Sequence, residues 1–234
     1  GISFWHNGKN TGKIIPADLV RATGGSRGSI VSNNNWVGPD GKVICTDRTS
    51  IGFHKAFDGI FVSYSVTLFA SEGDVTFGDT KEGTMGIRTH PNLRLTNGRG
   101  VTTANGKAVN SAGQRDKELW GKRAKWVDYS GKIDGHTVGV AIFDHPDNLR
   151  HPTWWHARDY GLVAANPFGI HNFEGKKKGV GDFKLKKGER RNFLYGILFH
   201  EGDAETSDIA GSYDKWVQAV AALKASAAEQ PGNP

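Results

Sequence analysis

Ile60-Phe61-Val62-Ser63-Tyr64-Ser65-Val66-Thr67-Leu68 alternates large apolar and small polar side chains. In an extended chain successive side chains point to opposite faces, so residues 60, 62, 64, 66 and 68 make one apolar face. Ser63, Ser65 and Thr67 make the other, flanked by Phe61 and Phe69. This is the pattern of a half-buried strand. His136–Phe143, Asn192–His200, Ile30–Trp36 and Lys42–Thr46 repeat it. Asn7-Gly8, Asp40-Gly41, Asp58-Gly59, Asn97-Gly98, Asn105-Gly106 and Asp134-Gly135 punctuate the chain with the positive-φ pairs that close tight hairpins. Short strands with turn signals and no intervening helices predict an all-β fold, a large two-sheet antiparallel β-sandwich.

One segment breaks the pattern. Ile209, Tyr213, Trp216, Val217, Val220 and Leu223 recur at helical spacing, with Ser207 or Asp208 before them to cap and Lys224 in the last turn. The expectation is a single domain over 1–224, closed by this C-terminal α-helix, with a disordered tail over 225–234. Residues 96–118 lack periodicity and are rich in Gly, Asn, Thr and charge, which predicts a long loop of functional or mobile character.

With 234 residues, a chain can bury a core without staples, and Cys45 is its only cysteine, so no intrachain disulfide exists. No apolar run approaches the roughly 20 residues of a membrane helix, so no membrane partner is expected. The net charge of +6 comes largely from Lys176-Lys177-Lys178 and from Lys184 to Arg191, broken by glycines. That reads as a solvated hairpin, and no nucleic-acid-binding motif accompanies it. No nucleic-acid partner is therefore expected. The chain opens at Gly1 rather than Met, which suggests that an N-terminal part has been removed.

Nine histidines and seven tryptophans carry the chemical interest. If residues 153–160 are extended, Trp154, His156, Arg158 and Tyr160 project from one face and Trp155 and Asp159 from the other. A ring, an imidazole, a guanidinium and a phenol in one row suit a concave site for a polyhydroxylated or anionic ligand. The plainer reading makes the tryptophans core residues and His156 a satisfied buried histidine. A second constellation, Phe77-Gly78-Asp79-Thr80-Lys81-Glu82-Gly83-Thr84-Met85-Gly86-Ile87-Arg88, places two carboxylates, a lysine and an arginine at a glycine-flanked turn. These groups serve acid/base chemistry or simply salt-bridge a surface turn. His200 ends a strand beside Glu201-Gly202-Asp203, where it can reach a rim site.

His145, His151 and His156 lack the spacings that make a metal assignment strong, so no metal ligands and no cofactor are assigned. A divalent metal held by His6, His151 or His156 and a carboxylate stays open. The serine-nucleophile elbow, the phosphate loop and the dinucleotide fingerprint are absent.

Gly78 to Gly83, Trp120-Gly121-Lys122-Arg123-Ala124, Trp126 to Gly131, and the long motif from Phe143 through Trp154-Trp155-His156-Ala157-Arg158-Asp159-Tyr160-Gly161 to Asn166-Pro167-Phe168-Gly169 carry a resemblance. Over nearly its whole length the chain resembles a bacterial domain-of-unknown-function family whose members bear the label "methane oxygenase PmoA". The label evokes a membrane protein, and nothing here has membrane length, so it is read as a misnomer. The resemblance implies a longer N-terminus with a histidine-rich stretch before Gly1. It also implies a setting among polysaccharide-degrading genes, with a periplasmic or secreted location favoured. It supplies no catalytic residues.

Together these readings point to a carbohydrate-active enzyme of hydrolase or lyase type. His156 or His151 would work with Glu82 as acid and base, while Trp154, Arg158, Tyr160, Asp79, Lys81 and His200 would bind the sugar. A noncatalytic carbohydrate-binding module and a metal-dependent oxygenase are the alternatives.

Overall fold

Strands in the middle of the chain carry large apolar side chains on both faces, and the layers follow from the need to cover both. The computed structural model describes residues 1–229. Four long strands come first: β1 (Lys13–Thr23), β2 (Arg27–Val37), β3 (Val43–Ala56) and β4 (Gly59–Phe69). The short β5 (Val75–Phe77) and β6 (Met85–Arg88) leave their sheet, and β7 (Lys107–Asn110), β8 (Trp126–Ile133) and β9 (His136–Asp144) return to it. β10 (Trp154–Ala157) and β11 (Leu162–Asn166) join β6 in a second sheet of three strands. After the short helix α1 (Ile170–Glu174), β12 (Phe183–Leu185) pairs with β5. β13 (Arg190–Glu201) then inserts between β4 and β9, which gives an eight-stranded sheet in the order β1-β2-β3-β4-β13-β9-β8-β7. Every strand pairing is antiparallel. The result is the expected sandwich, closed by α2 (Ile209–Glu229).

On the inner face, Val62, Val66, Val140, Ile142, Phe193, Tyr195 and Ile197 meet Trp155, Val163 and Ala165 of the small sheet in the main core. On the outer face, Phe61, Phe143 and Leu198 pack under Ile209, Tyr213 and Trp216 of α2. Phe61, an apolar residue on the polar side of its strand, is thus the seat of the helix, with its ring 6.1 Å from that of Trp216. The Asp208 carboxylate accepts the Gly211 N–H at 3.0 Å and caps α2. The small sheet ends at β6, and β1 is exposed along its whole length. No helix among the described residues is long and apolar enough to cross a membrane.

Several expectations need correction. Residues 96–118 are not one loop: β7 forms the edge of the large sheet there, and a 3-10 turn begins at Asp116. The lysine-rich segment is not a hairpin, because β12 pairs with β5 while β13 pairs with β4 and β9. Residues 225–229 continue α2 instead of forming a tail, and 230–234 lie outside the described residues.

Between the outer face and the loop entering α2 lies a buried ion pair. His200 Nε2 sits 2.7 Å from Asp128 Oδ1, with both side chains 1% exposed. His200 Nδ1 faces the Glu201 carbonyl and the Ser207 hydroxyl. Burial pushes this imidazole down, but the Asp128 carboxylate outweighs it and leaves His200 above its ordinary value. Burial also raises the Asp128 carboxyl.

Two stability predictions follow from these layers. Trp216→Ala should cost about 3–5 kcal/mol in urea unfolding, while Leu223→Ala, on the solvent side of α2, should stay within about 0.5 kcal/mol. A Trp216→Ala protein as stable as the parent would show that α2 does not dock as described. His200→Ala should cost about 3–5 kcal/mol, because it strands a buried carboxylate. The sign of the pH dependence is fixed as well. His200 is raised when folded, so its contribution is complete below about pH 6.5 and falls as pH climbs through the raised value. Unfolding free energies measured across that window should slope downward in the parent and less steeply in His200→Ala.

Candidate functional site

The register of the small sheet decides which side chains can do chemistry. Trp154 pairs with Asn166, and His156 with Ala164, which in turn pairs with Gly86. Trp155, Ala157, Val163, Ala165 and Met85 alternate with these and enter the main core. His156, Ala164 and Gly86 therefore form a row on the face turned away from the core. Over that row runs the 80–84 segment, held to β11 by the Thr84 N–H on the Ala165 carbonyl at 3.0 Å. Its approach is close enough that a Cβ on Gly83 would stand 2.5 Å from the Ala165 oxygen.

That segment fixes His156. Its Nδ1 lies 2.7 Å from the Lys81 carbonyl oxygen, which can only accept, so Nδ1 carries the hydrogen. Nε2 then presents its lone pair; it has no partner among the described residues and is not sealed from solvent. The residue as a whole is 3% exposed. Burial lowers its pKa, the Lys81 carbonyl and the Glu82 carboxylate pull it back up, and the Arg158 and Lys81 charges push it down again. The net direction is down, which keeps the imidazole neutral at neutral pH.

Beside the imidazole the floor is made of small residues. A Cβ on Gly86 would meet the Ala164 Cβ at 3.0 Å and the Trp5 indole at 3.5 Å. Trp5, itself 38% exposed, thus lies over Gly86 on the His156 face. Arg88 takes the next outward position of β6, opposite Leu162. The chain turns at Arg158–Gly161, where the Gly161 N–H reaches the Arg158 carbonyl at 3.0 Å and Gly161 has φ +81°.

The structure gathers His156, Glu82, Lys81, Arg158 and Tyr160 in one neighbourhood, though not as one strand face. β10 stops at Ala157, so Arg158 and Tyr160 belong to the turn, with the guanidinium 5.4 Å from the phenol ring. Lys81 contributes its carbonyl, and its side chain is exposed. Trp154 is not an open stacking platform: it is buried, its Nε1 donates to Glu174, and Arg123 covers its ring at 4.5 Å.

Asp79, His151 and His200 lie apart from this group and have polar atoms bonded within the fold. Both Asp79 oxygens are consumed by the N–H groups of His171, Gly179 and Gly181, which fasten the loop around α1. His151 is bound to Asp144 at 2.8 Å, and that carboxylate also takes Thr153 N–H and Asn148. His200 lies under α2, on the opposite face of the large sheet. Trp5 escaped the sequence reading, which has Arg88 only as the arginine closing the 77–88 constellation. The small-residue run Val163-Ala164-Ala165 opposite His156 was the signal that something approaches closely there.

Burial pushes the Cys45 thiol up to about 12, with Asp47 adding to the rise. No three His, Cys, Asp or Glu side chains converge on a metal position among the described residues. His156 lines neither of two concavities on the surface. One, of about 590 Å³, is walled by Arg115, Lys117 and Glu118. The other, of about 420 Å³, is an apolar groove between Ile60, Val140 and Phe199 of the large sheet and Ile87 and Leu93.

Among solved structures, a galactose mutarotase-like protein from Lactobacillus casei is similar at a TM-score of 0.36 and 9% identity, over 78% of this chain and 72% of that one. A galactose mutarotase related enzyme from Lactobacillus acidophilus matches at 0.32 and 10%, over 80% and 71%. A GH36 alpha-galactosidase from Geobacillus stearothermophilus matches at 0.29 and 10%, over 82% of this chain but 28% of its own. No curated protein matches. The model of a family of unknown function, DUF6807, matches residues 1–214, and the chain belongs to that family.

Proposed function

We propose that the outer face of the small sheet is the active site of a carbohydrate-active enzyme of hydrolase or lyase type, with His156 as its proton-transfer group. The observation that carries this reading is the state of that imidazole. It is neutral and oriented by Nδ1, with the Nε2 lone pair left free beside a floor of Gly86 and Ala164. His200 and the half-buried His151 have each given a ring nitrogen to a carboxylate, and the Nε2 of His145, a third buried histidine whose pKa burial also lowers, is sealed from solvent without a partner. Nε2 takes a proton from the reacting hydroxyl, water or ring carbon, and Glu82 stabilises the imidazolium that forms. Arg158 and Tyr160 hold the ligand, and the exposed indole of Trp5 offers a face on which a sugar ring can stack.

A glycan panel scored for both binding and product release is the direct test. His156→Gln keeps a donor for the Lys81 carbonyl and should melt near the parent, yet lose roughly 10²- to 10⁴-fold in turnover. A parent that binds glycans but releases no product would make the domain a binding module. Loss of stability without loss of turnover would return His156 to the core.

The charges around His156 also predict the pH profile with its signs. Catalysis needs the neutral imidazole, so activity falls as pH drops through a value below the ordinary histidine value of about 6.5. Glu82→Gln removes a carboxylate that raises this pKa and should move the acid limb to lower pH. Arg158→Gln removes a cation that lowers it and should move the limb to higher pH. Kinetic profiles of the two variants that shift together, or not at all, would sink the assignment.

A further inference from the structure

Tyr160 is ringed by three guanidiniums. Their central carbons lie 4.4 Å (Arg99), 5.4 Å (Arg88) and 5.4 Å (Arg158) from its ring centroid. They come from three places: the end of β6, a turn in the 96–101 segment, and the turn after β10. Arg99 is placed by reciprocal backbone bonds between Gly98 and Val101 at 2.8 and 3.0 Å, in a run of positive φ through Gly98, Arg99 and Gly100. The segment is tied down by the Leu95 N–H on the Asp159 carbonyl at 2.9 Å. The glycine- and charge-rich stretch that stood out in the sequence thus delivers a cation to the site's edge.

None of the three makes an ion pair with a carboxylate or donates a side-chain hydrogen bond among the described residues. Arg123 and Arg150, by contrast, each spend their donors on backbone carbonyls. The nearest acid in sequence, Asp159, turns to Lys117 at 3.8 Å. The phenol face offsets some of the mutual repulsion, but about five donors on each guanidinium remain unused. A planar fork with free donors matches an oxyanion bidentately.

Arg158 links this collar to His156, whose pKa it lowers. On the reading of the site given above, we infer that the substrate is an acidic sugar whose oxyanion, a carboxylate or a sulfate ester, seats among Arg88, Arg99 and Arg158 while the ring lies toward His156.

Calorimetric titration of the full chain with oligomers of galacturonate, glucuronate and mannuronate tests this, each run beside its methyl ester, which keeps the skeleton and removes the charge. Sulfated and unsulfated forms of one neutral oligosaccharide make the second arm. At least one acid should bind roughly ten- to hundredfold tighter than its neutral counterpart, the range of a charge-assisted hydrogen bond. Arg88→Gln and Arg99→Gln, both at exposed side chains, should bring that ratio toward one, and added salt should do the same. Preference in the first arm alone identifies a carboxylate, in the second alone a sulfate ester. Equal binding of charged and neutral forms, or a ratio that neither substitution alters, overturns the inference and leaves the sugar site standing. Failure of every sugar to bind overturns both.

Discussion

The fold hangs on the double burial of four neighbouring strands, β4, β13, β9 and β8. A strand with one wet face can lie at the surface of a sandwich. These strands carry Val62, Ile197, Ile142 and Val127 on one side and Phe61, Leu198, Phe143 and Trp126 on the other. Each such side chain contributes roughly 1.5–3 kcal/mol when it leaves water, so both faces demand a lid. α2 supplies one and the small sheet the other. The lids differ in kind: a helix covers with a single stripe, whereas a sheet has a second face of its own. That second face, covered in part by the 80–84 segment, is where His156 stands.

How much of this was legible depended on period and partner. The alternation at Ile60–Leu68 and the helical spacing of Ile209, Tyr213 and Trp216 are local signals, and both elements lie where those signals put them. β10 and β11 were harder. Trp154-Trp155-His156-Ala157 is buried at every position, so no hydrophobic alternation survives to show which side faces the core. Register with β11 makes that decision, and register is a property of the partner strand. The same limit explains Tyr160. The alternation was extended past Ala157, but the turn held by the Arg158–Gly161 and Arg158–Leu162 backbone bonds ends the strand and swings the phenol toward Arg88 and Arg99.

The histidines show why residue type alone could not sort site from scaffold. His151 and His200 belong to the same chemical class as His156, and each lies near a strand end or turn. Sequence ranked them together. Their partners divide them: Asp144 also takes Thr153 and Asn148, so His151 is one strut of a loop. Asp128 sits 2.7 Å from His200 Nε2 in a buried pair and raises the pKa of the imidazole. A carboxylate partner stabilises the imidazolium and raises the ring's basicity. A carbonyl partner, such as that of Lys81, fixes the tautomer without a full opposing charge, and burial then keeps the ring neutral.

The apolar groove of about 420 Å³ offers room, but volume measures room and not chemistry. Its apolar wall is Ile60, Val138, Val140, Phe199, Ile87 and Leu93, with Asp58, Thr89, His90 and Glu201 standing along it. Its polar edge matters more. Arg88 belongs both to that lining and to the collar around Tyr160, so the groove and the His156 face meet at one residue.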